Sequence, residues 1–120
     1  MSQADKWTIV FYREGAWRPV LEFIEALDLK TRARLEWSIE QLRLRNVRAT
    51  EPLVKHIDGK IWELRDESRG TAYRIFYFIM IDRRIVLLHG FRKTTKRTPR
   101  REIEVARRRI ARIDAARRGT

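Results

Sequence analysis

The feature that most constrains the fold is a change to period-two patterning in the second half of the chain. Trp62 and Leu64 alternate with Glu63 and Arg65, which is the pattern of a strand with one apolar and one polar face. Two longer runs of β-branched and aromatic residues follow, and short polar turns, one containing Gly70, separate the three runs. Three strands with such short connections predict an antiparallel meander. The predicted strands cover residues 61–65, 73–81 and 85–91.

The first half of the chain predicts one strand followed by two helices. Residues 7–12 are aromatic and β-branched, and Gly15 ends this strand. Pro19 suits the first turn of a helix, and apolar residues follow it at helical spacing. Asp28 is a predicted N-cap for a second helix. We expect an antiparallel helical hairpin that ends in the polar stretch 46–52.

The last predicted element is a basic helix over about residues 98–117. Thr98 is its predicted cap, and Pro99 occupies the first helical position. One side of this helix carries an apolar stripe, and arginines take the remaining positions, Arg109 among them. The apolar stripe consists of Ile103, Ala106, Ile110 and Ile113.

These elements predict an α+β fold in the order β-α-α-β-β-β-α, formed by a single domain over residues 1–120. The first strand is expected to join the meander in a four-stranded, mainly antiparallel sheet. The helical hairpin is expected to cover one face of this sheet and to leave the other face open and basic.

The net charge of +12 is concentrated at one end of the chain. From Arg92 onward there are 12 basic and 3 acidic residues, a field that favours polyphosphate partners. The alternative is a solvated helix that only aids solubility. No apolar run is long enough to cross a membrane, and residues 1–6 lack the apolar core of a secretory signal. With no cysteine and two histidines, we expect a cytoplasmic protein without a metal or cofactor.

One charged residue interrupts the most apolar predicted strand. Arg74 lies among tyrosine, isoleucine and phenylalanine, and burying an unpaired charge is costly. Its guanidinium must therefore reach solvent, a ligand, or a carboxylate such as Glu63 or Asp66. Two interpretations stay open, namely a structural ion pair with Glu63, or a fork with Arg65 that binds phosphate.

The remaining candidates for chemistry are His89, Lys55 and Lys93. A single strand histidine is more often a core residue than a catalyst, but His89 lies where a basic cluster begins. The chain has no phosphate-binding glycine loop, nucleophile elbow, zinc spacing or carboxylate cluster for magnesium. RNA cleavage needs none of these, because the 2′-hydroxyl of the substrate is the nucleophile. The protein need only move protons and stabilise negative charge.

Four segments in order resemble the phage-derived, HigB-like branch of the RelE/ParE toxin superfamily. They are residues 55–65, 73–77, 88–93 and 98–106. The resemblance implies an α+β domain that acts as the toxin of a type II toxin–antitoxin system. It also implies a ribosome-dependent mRNA endonuclease as the activity, and a cognate antitoxin, often of helix-turn-helix type, as the partner.

Carried over by position, Arg65 and Arg74 are similar to the arginines that hold the scissile phosphate in such toxins. Lys55, His89 and Lys93 are candidates for proton transfer or further phosphate contact. The family's tyrosine near the C-terminus has no counterpart after Tyr77, so His89 or a lysine must act as the general base. The basic residues expected to bind RNA are Lys93, Lys96, Arg97, Arg100 and Arg101.

Two other functions remain compatible with the sequence. One is a DNA gyrase poison of the ParE kind, and the other is a nucleic-acid-binding relative without catalytic activity. The nuclease is favoured because a gyrase poison does not need the set Arg65, Arg74, His89 and Lys93.

Overall fold

The structure, a computed structural model, describes residues 6–119. Residues 1–5 and 120, which include most of the segment tested for a secretory signal, lie outside the described residues. The elements are β1 (Thr8–Phe11), α1 (Pro19–Glu25), α2 (Leu29–Arg45), a short 3₁₀ turn (Asn46–Arg48), β2 (Val54–Asp58), β3 (Ile61–Ser68), β4 (Thr71–Met80), β5 (Arg84–Lys93) and α3 (Arg100–Arg118).

The sheet is mixed and has five strands in the order β1-β5-β4-β3-β2. Strands β2 to β5 form an antiparallel meander, and β1 joins it parallel to β5. The α+β class is confirmed, but the prediction of four strands is wrong. The missed strand is β2, an edge strand whose exposed Lys55 and His56 hide its apolar periodicity.

The helical hairpin covers one face of the sheet, as predicted. Asp28 caps α2, because its side chain accepts a hydrogen bond of 3.3 Å from the Thr31 amide. The buried side of α2 carries apolar residues at helical spacing that pack onto the sheet. These residues are Leu35, Ile39 and Leu42.

The opposite face is not open, which corrects the sequence-based expectation. Helix α3 packs on it through Ala106 and its isoleucines, against residues such as Phe76 and Leu88. The physical reason is visible in β4, which buries six consecutive residues and therefore needs a cover on both faces. Helix α3 begins at Arg100 with Pro99 as its N-cap residue, and Thr98 makes no cap hydrogen bond.

One arginine of α3 belongs to this second core rather than to the exposed basic side. Arg109 is buried, and its Nη1 donates a hydrogen bond of 2.6 Å to the carbonyl oxygen of Leu88. Its guanidinium lies over the rings of Tyr12 and Trp17, at 5.2 and 5.4 Å from their centroids. Arg109 therefore fixes α3 to the sheet by cation–π contacts and one backbone bond.

Candidate functional site

The strand registers place all five candidate catalytic residues on the sheet face that α3 covers. In the first row across the sheet, Lys55 lies opposite Glu63, Glu63 opposite Phe76, and Phe76 opposite His89. Directly opposed residues of antiparallel strands share a face, and Phe76 belongs to the core beneath α3. This row thus brings a lysine, a carboxylate and a histidine onto one surface.

The next two rows supply the other three residues. Arg65 lies opposite Arg74, and Arg74 lies opposite Phe91. One row further, Ala72 lies opposite Lys93. Because side chains two residues apart on a strand point to the same face, Arg65, Arg74 and Lys93 share the surface of the first row.

Glu63 connects the two opposed arginines. Its Oε1 lies 3.6 Å from the Arg65 Nε and 3.5 Å from the Arg74 Nε, and its side chain is 2% exposed. The Thr98 hydroxyl donates to Glu63 Oε2 at 3.3 Å, which ties the β5–α3 loop to the same carboxylate. The structural ion pair between Arg74 and Glu63 is therefore present, and Arg65 shares it.

The two arginines differ in their access to solvent. The Arg74 side chain is 9% exposed, whereas that of Arg65 is 32% exposed. Arg74 Nη1 donates to the backbone oxygens of Tyr73, at 3.0 Å, and of Asp66, at 3.4 Å. Its Nε is buried and forms no hydrogen bond within residues 6–119. Burial lowers the pKa of Arg74 and Glu63 opposes that effect, but an arginine remains protonated at neutral pH. Arg74 thus forms the inner and Arg65 the outer part of a cationic pair.

His89 is paired with an acid that the sequence did not single out. Its Nε2 lies 3.0 Å from Oε1 of Glu102, in the first turn of α3. The imidazole stacks on Phe91, with centroids 5.5 Å apart. Burial lowers the pKa of His89 below its ordinary value of 6.5, although Glu102 acts in the opposite direction. Burial therefore favours the neutral form of the ring. In that form Nε2 carries the hydrogen, because a carboxylate only accepts hydrogen bonds, and Nδ1 is left able to take a proton.

Of the two candidate lysines, Lys93 is hydrogen-bonded within the protein and Lys55 is exposed. Lys93 Nζ donates to the carbonyl oxygens of Thr95 and Lys96, at 3.0 and 2.7 Å, and so holds its own loop. Lys55 is exposed on β2. The other four predicted RNA-binding residues are exposed, in the β5–α3 loop or the first turn of α3. They are Lys96, Arg97, Arg100 and Arg101.

A cleft of about 530 Å³ lies beside the two arginines, between α2 and the edge of β3, and the sequence did not predict it. Both Arg65 and Arg74 line it, together with one side of α2. Asp66 organises this cleft by accepting hydrogen bonds from Arg34 Nε at 2.9 Å and from the Ser38 hydroxyl at 2.5 Å. The sequence does contain one sign of this cleft, namely polar residues spaced three or four apart along α2. That spacing can be recognised only after the apolar side of the helix has been assigned.

Residues 6–119 contain no group of three or more histidine, cysteine, aspartate or glutamate side chains placed to hold a metal ion. Within the same range, no helix has the length and apolar character needed to cross a membrane.

Comparison with known proteins assigns most of the chain to one family. Residues 22–111, which are 90 of the 120 residues, match the family model described as phage-derived protein Gp49-like. The match includes every residue of the three rows described above. A search of curated proteins finds no match.

Proposed function

The chain belongs to the Gp49-like family of phage-derived proteins, a RelE/HigB-like toxin family, and from this membership we propose that it is a ribosome-dependent endonuclease that cuts mRNA. A toxin of this family implies a cognate antitoxin as its partner. In the proposed role the protein belongs to the HigB-like branch, acts in the cytoplasm, and stops translation until the antitoxin binds it.

The observation that carries the proposal is the pair of opposed arginines with a histidine nearby. Arg65 and Arg74 are direct cross-strand neighbours, and His89 is diagonal to Arg74 on the next strand. Diagonal neighbours have Cβ atoms within about 7–8 Å, so the side chains of Arg74 and His89 can both reach one phosphodiester group. Two guanidinium groups supply several donors to the phosphoryl oxygens, where negative charge grows as the reaction proceeds.

The proposed reaction needs only groups of the substrate and of this chain. The 2′-oxygen attacks the adjacent phosphorus while its proton passes to Nδ1 of His89. A bond forms between the 2′-oxygen and phosphorus, and the bond from phosphorus to the 5′-oxygen breaks. Lys55, on the same sheet face, is the candidate to donate a proton to that leaving oxygen. The products are a 2′,3′-cyclic phosphate and a 5′-hydroxyl end. DNA lacks the 2′-hydroxyl and is not a substrate for this chemistry.

Glu102 has a positioning role in this proposal, and the basic loop has a docking role. Glu102 fixes the tautomer of His89 that leaves Nδ1 free to accept the proton. Lys96 and Arg97 in the β5–α3 loop, with Arg100 and Arg101 in α3, contact phosphates of messenger or ribosomal RNA. Thr98, between Arg97 and Arg100 in the chain, donates a hydrogen bond to Glu63 and so links this basic segment to the site.

Induced expression with mapping of mRNA ends tests the proposal. Wild-type protein should arrest growth and give discrete new 5′ ends within translated frames. Arg74→Ala should abolish both, whereas Arg84→Ala, which removes an exposed arginine at the far end of β5, should not. Growth arrest with intact mRNA and broken DNA would instead identify a gyrase poison.

A further inference from the structure

The side of α2 that faces the cleft carries a regular polar stripe. Arg34, Trp37, Gln41 and Arg45 follow one another at intervals of three or four residues, and all line the cleft. This spacing keeps them on one side of the helix. The adjoining side of α2 is buried in the core, and Ser38 belongs to both sides. Trp37 itself lies outside the core.

Trp37 is the aromatic group of this stripe, and it is unusually accessible. It is 56% exposed and has no stacking or cation–π contact with other described residues. An exposed indole beside arginines is the arrangement that proteins use to stack unpaired nucleic-acid bases. Because every base has a π-face, such a platform binds single strands without requiring one sequence.

The charges around Trp37 suit a polyanion. The cleft holds four arginines and only two carboxylates, those of Asp66 and Glu67. Asp66 is already engaged by Arg34 and Ser38. The Arg45 side chain forms no ion pair or hydrogen bond within residues 6–119 and is exposed. Its guanidinium is therefore available for a ligand phosphate.

The cleft is continuous with the arginine pair because β2 stops short. The last β2 residue paired with β3 at this end is Val54, opposite Leu64, and only one backbone bond follows, from the Arg65 amide to the Leu53 oxygen. From Asp66 onward the edge of β3 is uncovered by β2. Arg65 and Arg74 consequently line the cleft as well as contacting Glu63.

We propose that this cleft is a subsite for one nucleotide of single-stranded RNA next to the cleaved phosphate, with its base stacked on Trp37 and its phosphate bound by Arg45. The assignment of the bound nucleic acid as RNA rests on the proposed RNA cleavage. The assignment of Trp37 as a stacking platform does not. Single-stranded nucleic acid is favoured over an acidic peptide because the cleft pairs an aromatic plane with arginines. A peptide carboxylate needs the arginines alone.

The test is binding of a short RNA oligomer with 2′-O-methyl groups, which cannot be cut, measured by fluorescence anisotropy. Trp37→Ala should weaken binding about ten-fold or more, because base stacking on an aromatic ring is a substantial part of such affinities. Trp37→Phe should keep most of the affinity, and Trp37→Leu, which lacks a π-face, should not. Leu29→Ala is the matched control, since Leu29 is 82% exposed on the same helix and does not line the cleft.

Arg45→Ala should also weaken binding, by several-fold, with Arg48→Ala as the control for an exposed arginine outside the cleft. Unchanged affinity of Trp37→Ala would overturn the subsite even if the protein cuts mRNA. Conversely, affinity that depends on Trp37 in a protein that cuts no mRNA would support the subsite and defeat the proposed function. An acidic peptide that binds as tightly as the oligomer, with the same dependence on Trp37, would overturn the RNA assignment.

Discussion

Arg65 and Arg74 are direct cross-strand partners, and both place Nε within 3.6 Å of the same oxygen of Glu63. Like charges opposite each other weaken a sheet, so this arrangement depends on the carboxylate between them. One carboxylate balances only one of the two positive charges. The remaining positive charge, held near His89, is what a phosphodiester entering this site would meet.

The first prediction concerns Glu63 as the residue that keeps the arginine pair together. Glu63→Gln should lower the free energy of unfolding by about 3 kcal/mol, because it leaves two guanidinium groups facing each other without a buried counter-charge. Urea denaturation at low salt measures this loss. In the double variant Glu63→Gln/Arg74→Met, part of the stability should return, since the repulsion is gone. A loss below about 0.5 kcal/mol, the size of an ordinary surface substitution, would contradict the coupling.

The second prediction concerns the pH dependence of cleavage. Burial lowers the pKa of His89, and Glu102 raises it. The rate should therefore fall only when the pH drops below the ordinary histidine value of 6.5. Glu102→Gln removes the group that raises the pKa, so the acid limb should move to lower pH and the maximal rate should fall. Rates measured with programmed ribosomes between about pH 5 and pH 8 test both shifts. A limb that moves to higher pH would disprove the assignment of His89 as the base.

The third prediction concerns the same histidine and the stability of the fold. Because the folded-state pKa is depressed, the unfolded chain binds more protons between that pKa and 6.5. The free energy of unfolding should therefore decrease as the pH falls through this window. His89→Gln should remove this component, leaving a flatter profile in thermal or urea unfolding. An equally steep profile in the variant would show that other groups cause the acid sensitivity.

The fourth prediction concerns the close approach of α1 to β5 beside the site. A Cβ atom at Gly90 would lie 2.6 Å from the Phe23 ring, so Gly90→Ala should destabilise the protein by about 1–3 kcal/mol. Phe23→Ala in the same chain should relieve the clash, because alanine has no atom beyond Cβ, and the two substitutions should be non-additive in a double-mutant cycle. Additive effects would mean that the ring moves aside without strain.

The fifth prediction concerns salt. The basic residues of the β5–α3 loop are proposed to contact phosphates, and each contact to a single strand contributes about 0.7 to the slope of log affinity against log salt. Lys96→Ala with Arg97→Ala should therefore reduce the steepness by roughly 1.4. Arg48→Ala with Arg84→Ala, two exposed arginines elsewhere, should leave the slope unchanged. Equal slopes in both double variants would remove the docking role from this loop.

Local patterns in the sequence were sufficient to predict most elements of the fold. The meander, the helical hairpin and the Asp28 cap follow from periodicity and capping preference, which act over a few residues. The edge strand β2 was not predicted because Lys55 and His56 are adjacent polar residues. They interrupt the alternation of apolar and polar residues that indicates a strand. The covering of the second sheet face was not predicted because it depends on tertiary packing. Strand β4 is apolar on both sides, and only the packed structure shows that α3 covers the second one.

Some residues of the candidate site were indicated by the sequence, and others were recognised only in the structure. The resemblance and the strand pattern drew attention to Arg65 and Arg74, and the Gp49-like family match agrees with a toxin at the level of the superfamily. The roles of individual residues stay predictions. Glu102 and Trp37 were missed because their significance depends on a partner distant in sequence: His89 for the first, and the uncovered edge of β3 for the second. Arg109 was placed among the solvated arginines for the same reason.

If the arginine pair and His89 cut mRNA, purified protein should cleave a defined message on programmed ribosomes. Both ends of each cut should be mapped and their chemistry determined. Wild-type protein should leave a 2′,3′-cyclic phosphate and a 5′-hydroxyl. Folded Arg74→Ala should cut about 100-fold or more slowly, the loss expected when one stabilising donor is removed. Intact mRNA with the wild-type protein, or cleavage by Arg74→Ala at the wild-type rate, would show that these residues do not carry out the cleavage.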